Sequence, residues 1–358
     1  MGGLVCRSCG RTYAAGPDEP WRCACGHALD VDGRAPLPDA PPSSDRDRGL
    51  WAFADCLPVS ERASLGEGWT PLVDAPELDA AVKLDYLCPS GSYKDRGATT
   101  LLSRAVELGV DRVLEDSSGN AGAAVAQYAA RAGLDAEIYV PADAKPAKLR
   151  AIERSGATAV RVGGSRASVT DACVDAVEAG EGWYASHAWN PAFYAGTETF
   201  AYELAAQRGW SVPDAVVLPL GHGTLVLGAC RGFRRMADAG WTDRVPRVLC
   251  AQAAGCAPFA AAFGHDADGD NDVADGVQIA RPARRAQVEA AIRDADGDVR
   301  AVDADATEAA LETLHRSGFY VEPTSAVAVA GLPAFRAAGT LDASADVVVG
   351  LTGHGLKA

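Results

Sequence analysis

Lysine is scarce in this chain. It stands only at positions 83, 94, 145, 148 and 357, so nearly all of the 33 basic residues are arginine, set against 48 acidic ones. The formal charge of −15 argues against nucleic acid as a partner, because binding there depends on clustered cations that neutralise phosphates. Long apolar runs are missing too. None approaches the roughly 18 residues of a membrane span, and the first residues lack the basic-then-apolar order of an export signal. A cytoplasmic protein with no membrane partner is expected. No internal repeat or heptad run is present. Acid is what the chain has in excess: stretches such as Asp266-Ala267-Asp268-Gly269-Asp270-Asn271-Asp272 recur. They point to a solvated acidic surface and a halophilic, salt-rich setting, where screening relieves self-repulsion. That stretch is read as a solvated loop and not as a calcium site, since Asn271 stands where the loop glycine belongs and Val277 where the bidentate glutamate belongs.

With 358 residues, 48% of them hydrophobic, the chain can bury a substantial core in one large or two medium domains. Its ten cysteines do not suit a disulfide scaffold, which belongs to short exported chains. Four of them fall into two pairs, Cys6-Arg7-Ser8-Cys9 and Cys23-Ala24-Cys25, each followed by a glycine. Four thiolates satisfy a tetrahedral structural Zn2+, although the second pair has one intervening residue where two are usual. His27 is either a spare ligand or, as preferred, a surface residue. Residues 1–33 are therefore expected to form a zinc ribbon, and 34–50, with Pro36, Pro38, Pro41 and Pro42, a linker.

The remaining 51–358 are expected to form the main region of the chain. Apolar strands at 112–115, 137–140, 158–162 and 184–186 alternate with helices at 121–132, 147–155 and 166–178, and the alternation resumes with strands at 215–220, 247–251 and 347–351. Such a pattern predicts an α/β fold with two parallel-sheet αβα domains, a smaller mobile one over about 82–189 and a larger one from the rest.

Four motifs stand at strand ends or helix starts. In Pro89-Ser90-Gly91-Ser92-Tyr93-Lys94-Asp95-Arg96-Gly97 a lysine lies just before a predicted helix, a placement suited to imine chemistry. Ser117-Ser118-Gly119-Asn120-Ala121-Gly122 and Gly221-His222-Gly223-Thr224-Leu225 each follow an apolar strand and open a helix, the second in a way suited to cradling a phosphate. Thr352-Gly353-His354-Gly355 follows the last strand. Taken singly, each has an ordinary explanation: a surface lysine paired with Asp95, a helix-cap asparagine, a dinucleotide-type turn, a strand-end hydroxyl.

With Ser64-Leu65-Gly66-Glu67-Gly68-Trp69-Thr70-Pro71-Leu72, Asn190-Pro191, Gly196-Thr197-Glu198-Thr199 and Glu322-Pro323-Thr324-Ser325-Ala326, these motifs run in one order along nearly the whole chain. In that order the chain resembles the pyridoxal-phosphate enzymes of the tryptophan-synthase β-like fold, and within them the threonine synthases. The resemblance implies pyridoxal 5'-phosphate in the cleft between the two domains, bound covalently at Lys94, which when released acts as the base for the α-proton. It implies Asn120 on the ring's phenolic oxygen, Gly221, His222, Gly223, Thr224 and Leu225 around the phosphate, and Thr352 on the pyridine nitrogen. A hydroxyl there makes a milder electron sink than a carboxylate would, suited to elimination or replacement. It further implies an amino-acid substrate, with Ser92, Ser117, Ser118 and Phe193 near it, and a homodimer.

The substrate is where the chain departs from the family. Threonine synthases commonly read Asn-Pro-x-Arg, the arginine gripping the phosphate of O-phosphohomoserine; here Asn190-Pro191-Ala192 is followed by Phe193. Ala188, Ala121 and His222 also replace the usual Ser, Thr and Asn, while Arg96, Ser90, Ser92 or a protonated His222 could compensate. Threonine synthase therefore stands beside a threonine or serine dehydratase-like enzyme acting on an unphosphorylated amino acid, although Asp95 leans against a plain dehydratase. A non-catalytic ligand-binding homologue and a nicotinamide-linked oxidoreductase are the readings from other classes.

Overall fold

A computed structural model of the chain describes residues 2–43 and 45–357, which divide into two compact units. The first comprises residues 1–37, 45–67 and 94–197, and the second 38–44, 68–93 and 198–358.

In the first unit, four parallel strands run in the order Thr158–Val162, Asp135–Pro141, Arg112–Glu115, Trp183–Tyr184. The helices between them form for local reasons. Asn120–Ala132 is rich in alanine, the best helix former, and stops at Gly133 in the left-handed region. Arg166–Glu178 is capped by Ser165, whose side chain accepts from Ser168 N–H. Leu101, Leu102, Val113, Val125, Tyr128, Ile138 and Phe193 meet in one apolar core. A three-stranded antiparallel sheet of Thr12–Tyr13, Leu4–Val5 and Asp30–Val31 carries the N-terminal cysteines.

The second unit is built on a six-stranded sheet in the order Asp298–Val302, Arg247–Ala253, Ala215–Pro219, Val347–Leu351, Ala80–Leu84, Leu72–Ala75. All neighbours are parallel except the last pair. The central strands Ala215–Pro219 and Val347–Leu351 are buried along their whole length, as unbroken apolar runs within a covered parallel sheet should be. Helix Pro323–Ala337 supplies Ala326, Ala328, Leu332 and Phe335 to the core beneath them.

The α/β class and the strands at 112–115, 158–162 and 347–351 match the sequence reading. The expected start of the smaller domain at 82 does not coincide with the observed division. Ala80–Leu84 pairs with Val347–Leu351, which draws the chain up to Tyr93 into the second unit. The expected linker is also more anchored than its prolines suggest: Leu37 is buried and Pro38 O accepts from Trp241 Nε1 at 2.9 Å. Residues 46–56 form 3-10 turns broken at Gly49, where φ is 57° and a Cβ would collide with Glu67 O.

Candidate active site

Lys94 is the first residue of helix Lys94–Leu108, one position further into the helix than the sequence suggested, and it is half-buried. The residue before it is held at two points in the second unit. Tyr93 N–H donates to Thr352 O at 3.0 Å, and Tyr93 Oη lies 2.7 Å from Thr224 Oγ1. The lysine therefore follows a residue bonded both to the glycine turn and to the end of the last strand.

Strand Ala215–Pro219 runs through Leu220 into the turn at 221–223. Gly223, at φ 80°, is the N-cap of helix Thr224–Asp238, and no side chain caps it. Backbone N–H groups at such a helix start can receive an anion. The glycines are required by close packing: a Cβ on Gly221 would come 3.2 Å from Val277 Cα, and one on Gly223 would come 2.7 Å from Val288 Cγ2. His222 is half-buried at the centre of the turn, while Thr224 and Leu225 are buried.

Thr352, 2% exposed, has its hydroxyl placed by Ser325: the two oxygens are 3.1 Å apart, and Ser325 Oγ also accepts from the N–H groups of Thr352 and Gly353. Ser325 earns this role through the Glu322–Ala326 motif, although its own side chain was not singled out by sequence reasoning. Ser92 makes a backbone bridge with Gly353, and its fully buried Oγ has no hydrogen-bond partner among the described residues. A buried orphan hydroxyl calls for a partner the protein does not supply, and a ligand is one.

In the first unit, Asn120 opens helix Asn120–Ala132 and is half-buried, as is Ser118, while Ser117 is buried and its Oγ accepts from Gly119 N–H at 3.3 Å. Gly122 lets this helix close onto Ser117 O, leaving no room for a Cβ. Phe193 is fully buried in the apolar core, and its ring fills the space in front of Gly97, so that helices Lys94–Leu108 and Pro191–Gln207 touch through it. The structure thus gives Phe193 a packing task, seating the helix that begins with Lys94.

A pair that sequence reasoning missed lies between these segments. Glu115 ends strand Arg112–Glu115, and its Oε1 is 2.6 Å from His187 Nδ1, both side chains being buried. Burial pushes the Glu115 carboxyl well above its ordinary range, with Asp116 adding to the rise. Burial, helped by the positive charge of Lys94, holds the His187 imidazole far below its own. The two shifts agree on a neutral pair. The only sequence signal was an acidic residue closing an apolar strand.

The four cysteines converge. Their Sγ atoms all lie within 4.8 Å of one another, with Cys6 to Cys25 at 3.6 Å and Cys9 to Cys23 at 3.5 Å. A tetrahedron of sulfurs about zinc has edges of roughly 3.8 Å, so the set fits such an ion. Backbone turns Gly10 N–H to Cys6 O and Gly26 N–H to Cys23 O fix the two thiol pairs. His27 Nδ1 lies 3.4 Å from Cys25 Sγ, beside the cluster.

A model of the family described as pyridoxal-phosphate dependent enzyme matches residues 63–353. The chain belongs to that family. Among curated relatives, the threonine synthase of Methanocaldococcus jannaschii is 32% identical over 98% of this chain and 92% of its own. That of Synechocystis is 34% identical over 92% and 91%. Solved structures of the same fold include the processed threonine deaminase isoform 2 of Solanum lycopersicum, with TM-score 0.70, 20% identity and coverage of 99% of this chain and 95% of that one. The L-serine ammonia-lyase of Rhizomucor miehei has TM-score 0.69 and 24% identity, covering 80% and 93%. The cradle at 221–225, the hydroxyl pair Thr352–Ser325 and the lysine that follows Tyr93 in the chain are groups of the kind that suit the cofactor that the family name states. Among the described residues, no helix is long and apolar enough to cross a membrane.

Proposed function

We propose that this chain is a threonine synthase, a carbon–oxygen lyase that turns O-phospho-L-homoserine and water into L-threonine and phosphate. The observation that carries it is the tie of Tyr93 to both Thr224 and Thr352, which brings the glycine turn and the strand-end hydroxyl to the residue before Lys94. The full-length likeness to threonine synthases selects the substrate from the possibilities this arrangement allows.

Bound pyridoxal phosphate supplies an electron sink for a carbanion next to the amino group. This chain's residues do the rest. Lys94 would hold the cofactor and serve as the base for the α-proton; Gly221, His222, Gly223, Thr224 and Leu225 would hold its phosphate; Asn120 would orient the ring; Thr352, whose hydroxyl is placed by Ser325, would offer that hydroxyl to the ring nitrogen. Ser92, Ser117 and Ser118 face the substrate, and Phe193 acts from behind by fixing the Lys94 helix. Zn2+ in Cys6, Cys9, Cys23 and Cys25 is structural, within a ribbon over 1–33. The enzyme is a cytoplasmic homodimer of a salt-rich cell, and its partners are small-molecule amino acids.

Offering O-phosphohomoserine, threonine, serine and diaminopropionate separately in high salt, and following phosphate, ammonia, keto acid and threonine, tests the reaction. Phosphate release matched by threonine formation is expected. Turnover of unphosphorylated substrates alone would establish the second reading, a dehydratase-like lyase, which Phe193 favours because it offers no donor where the family's arginine would grip a phosphate. Borohydride reduction and peptide mapping test the lysine: label belongs on Lys94, and label on Lys83, the fully buried lysine of the second unit, would refute the assignment.

A further inference from the structure

The stretch Glu19-Pro20-Trp21-Arg22, which runs directly into Cys23, is docked on the rest of the first unit at three points. Glu19, 9% exposed, faces the fully buried Arg104 of helix Lys94–Leu108: Arg104 Nε donates to Glu19 Oε1 at 2.8 Å, and Nη2 to Glu19 Oε2. Trp21 sets its ring edge-to-face against Tyr184, at 5.4 Å between centroids, and against Trp189 at 5.0 Å. Trp189 lies in the segment from Ser186 to Pro191 that opens the next helix and also holds His187. Arg22 stacks over Trp21 at 4.4 Å and reaches Glu178 at 3.4 Å.

The ribbon itself has little apolar core. Leu4, Cys6, Cys23 and Leu29 form its buried cluster, with Val5 and Val31 also buried and Tyr13 packed against the cluster, its hydroxyl donating to Cys23 Sγ at 3.2 Å. A module so small depends on what its thiols hold. Arg104, in contrast, cannot do without Glu19, since a guanidinium left in the core without its carboxylate is strongly unfavourable.

We propose that the metal-loaded cysteine cluster braces the catalytic helix and the 186–190 segment, with Glu19, Arg104 and Trp21 as positioning residues that act through Lys94 and His187. The inference rests on the zinc reading above, but not on the identity of the substrate. When the cluster is empty, the stretch before Cys23 loses its anchor, Glu19 leaves Arg104, and the helix that starts with Lys94 loosens along its buried face.

Hydrogen exchange on the full chain in constant high salt, with zinc bound and after chelation, reads this directly. Chelation is expected to speed exchange about tenfold or more in 94–108 and 184–190 while leaving the strand 215–219 unchanged. Glu19→Gln should reproduce the faster exchange in 94–108 with full zinc content by elemental analysis, and Trp21→Ala that in 184–190. The same two variants should lower kcat more than they raise KM. Unchanged exchange in 94–108 after verified loss of zinc would overturn the proposal, as would a chain that binds no metal at Cys6, Cys9, Cys23 and Cys25. If instead zinc-dependent exchange appears while O-phosphohomoserine is not turned over, the brace stands and the substrate reading falls.

Discussion

The hydroxyl of Tyr93 lies 2.7 Å from Thr224 Oγ1 in the first turn of the helix that follows the glycine loop. The residue next to Lys94, the proposed cofactor lysine, is thereby fastened to the element proposed to hold the cofactor's phosphate. Removing that hydroxyl leaves Thr224 without this partner and frees one side of the attachment. Tyr93→Phe should weaken cofactor binding by about 1 kcal/mol, roughly fivefold, as read from an absorbance titration of the cofactor-free protein. An unchanged affinity would mean that the contact serves the fold alone.

Gly97 and Phe193 should behave as one unit. The ring occupies the place where any side chain on residue 97 would go, so Gly97→Ala is expected to overpack the core by about 1–3 kcal/mol. Phe193→Leu in the same chain should return part of that loss by vacating ring volume. Urea unfolding of the two single variants and the double variant gives the coupling. Strict additivity would show that the two positions do not press on each other.

The fate of Phe193 also shows what the sequence could and could not reveal. Motif order singled out Lys94, Asn120, the 221–225 turn and Thr352 as candidates, because strand-to-helix turns with small residues have few alternative uses. The strands were legible for the same reason: Val347–Leu351 is an unbroken apolar run. Long-range contacts were not. Phe193 looked like a pocket wall because it replaces an arginine, yet it is core, a distinction made by Gly97 almost a hundred positions earlier. Glu115 and His187 are 72 positions apart, Glu19 and Arg104 are 85 apart, and no periodicity links either pair. Asn271, read within a solvated acidic loop, is fully buried and donates to Val302 O, Asp303 O and Thr307 Oγ1. Composition predicted that loop's surface but missed the residue that pins it.

The Glu115–His187 pair carries a pH signature. A carboxyl whose folded pKa is raised above its ordinary 4.5 contributes stability that is fully present below that value and is lost as pH climbs toward the folded pKa. Each pH unit in that window costs about 1.4 kcal/mol. Glu115→Gln copies the protonated form, so relative to wild type it should gain stability as pH rises from 5 to 8. Urea midpoints at those two pH values in fixed high salt measure the gain; a Gln variant that loses ground at pH 8 would show that Glu115 is ionised in the folded protein.

Lys83 offers the sharpest test of the second unit. It is fully buried, its Nζ donating to Thr70 O and Glu203 Oε1 and, at 2.6 Å, to Thr70 Oγ1, while Thr70 Oγ1 donates to Asp85 Oδ1 at 2.7 Å. Ions in such a place have given up their hydration, and their attraction roughly offsets that loss only while both are present. Lys83→Met leaves Glu203 charged and buried without its cation and should cost about 3–5 kcal/mol. Lys83→Met with Glu203→Leu removes both charges and should recover most of that cost, even though it deletes a strong ion pair. Because the pair is shielded from solvent, adding salt should not rescue the single variant. Denaturant unfolding of both variants, each at low and high salt, decides the matter: if the double variant is as unstable as Lys83→Met, the lysine's worth lies in its bonds to Thr70 and not in its pairing with Glu203.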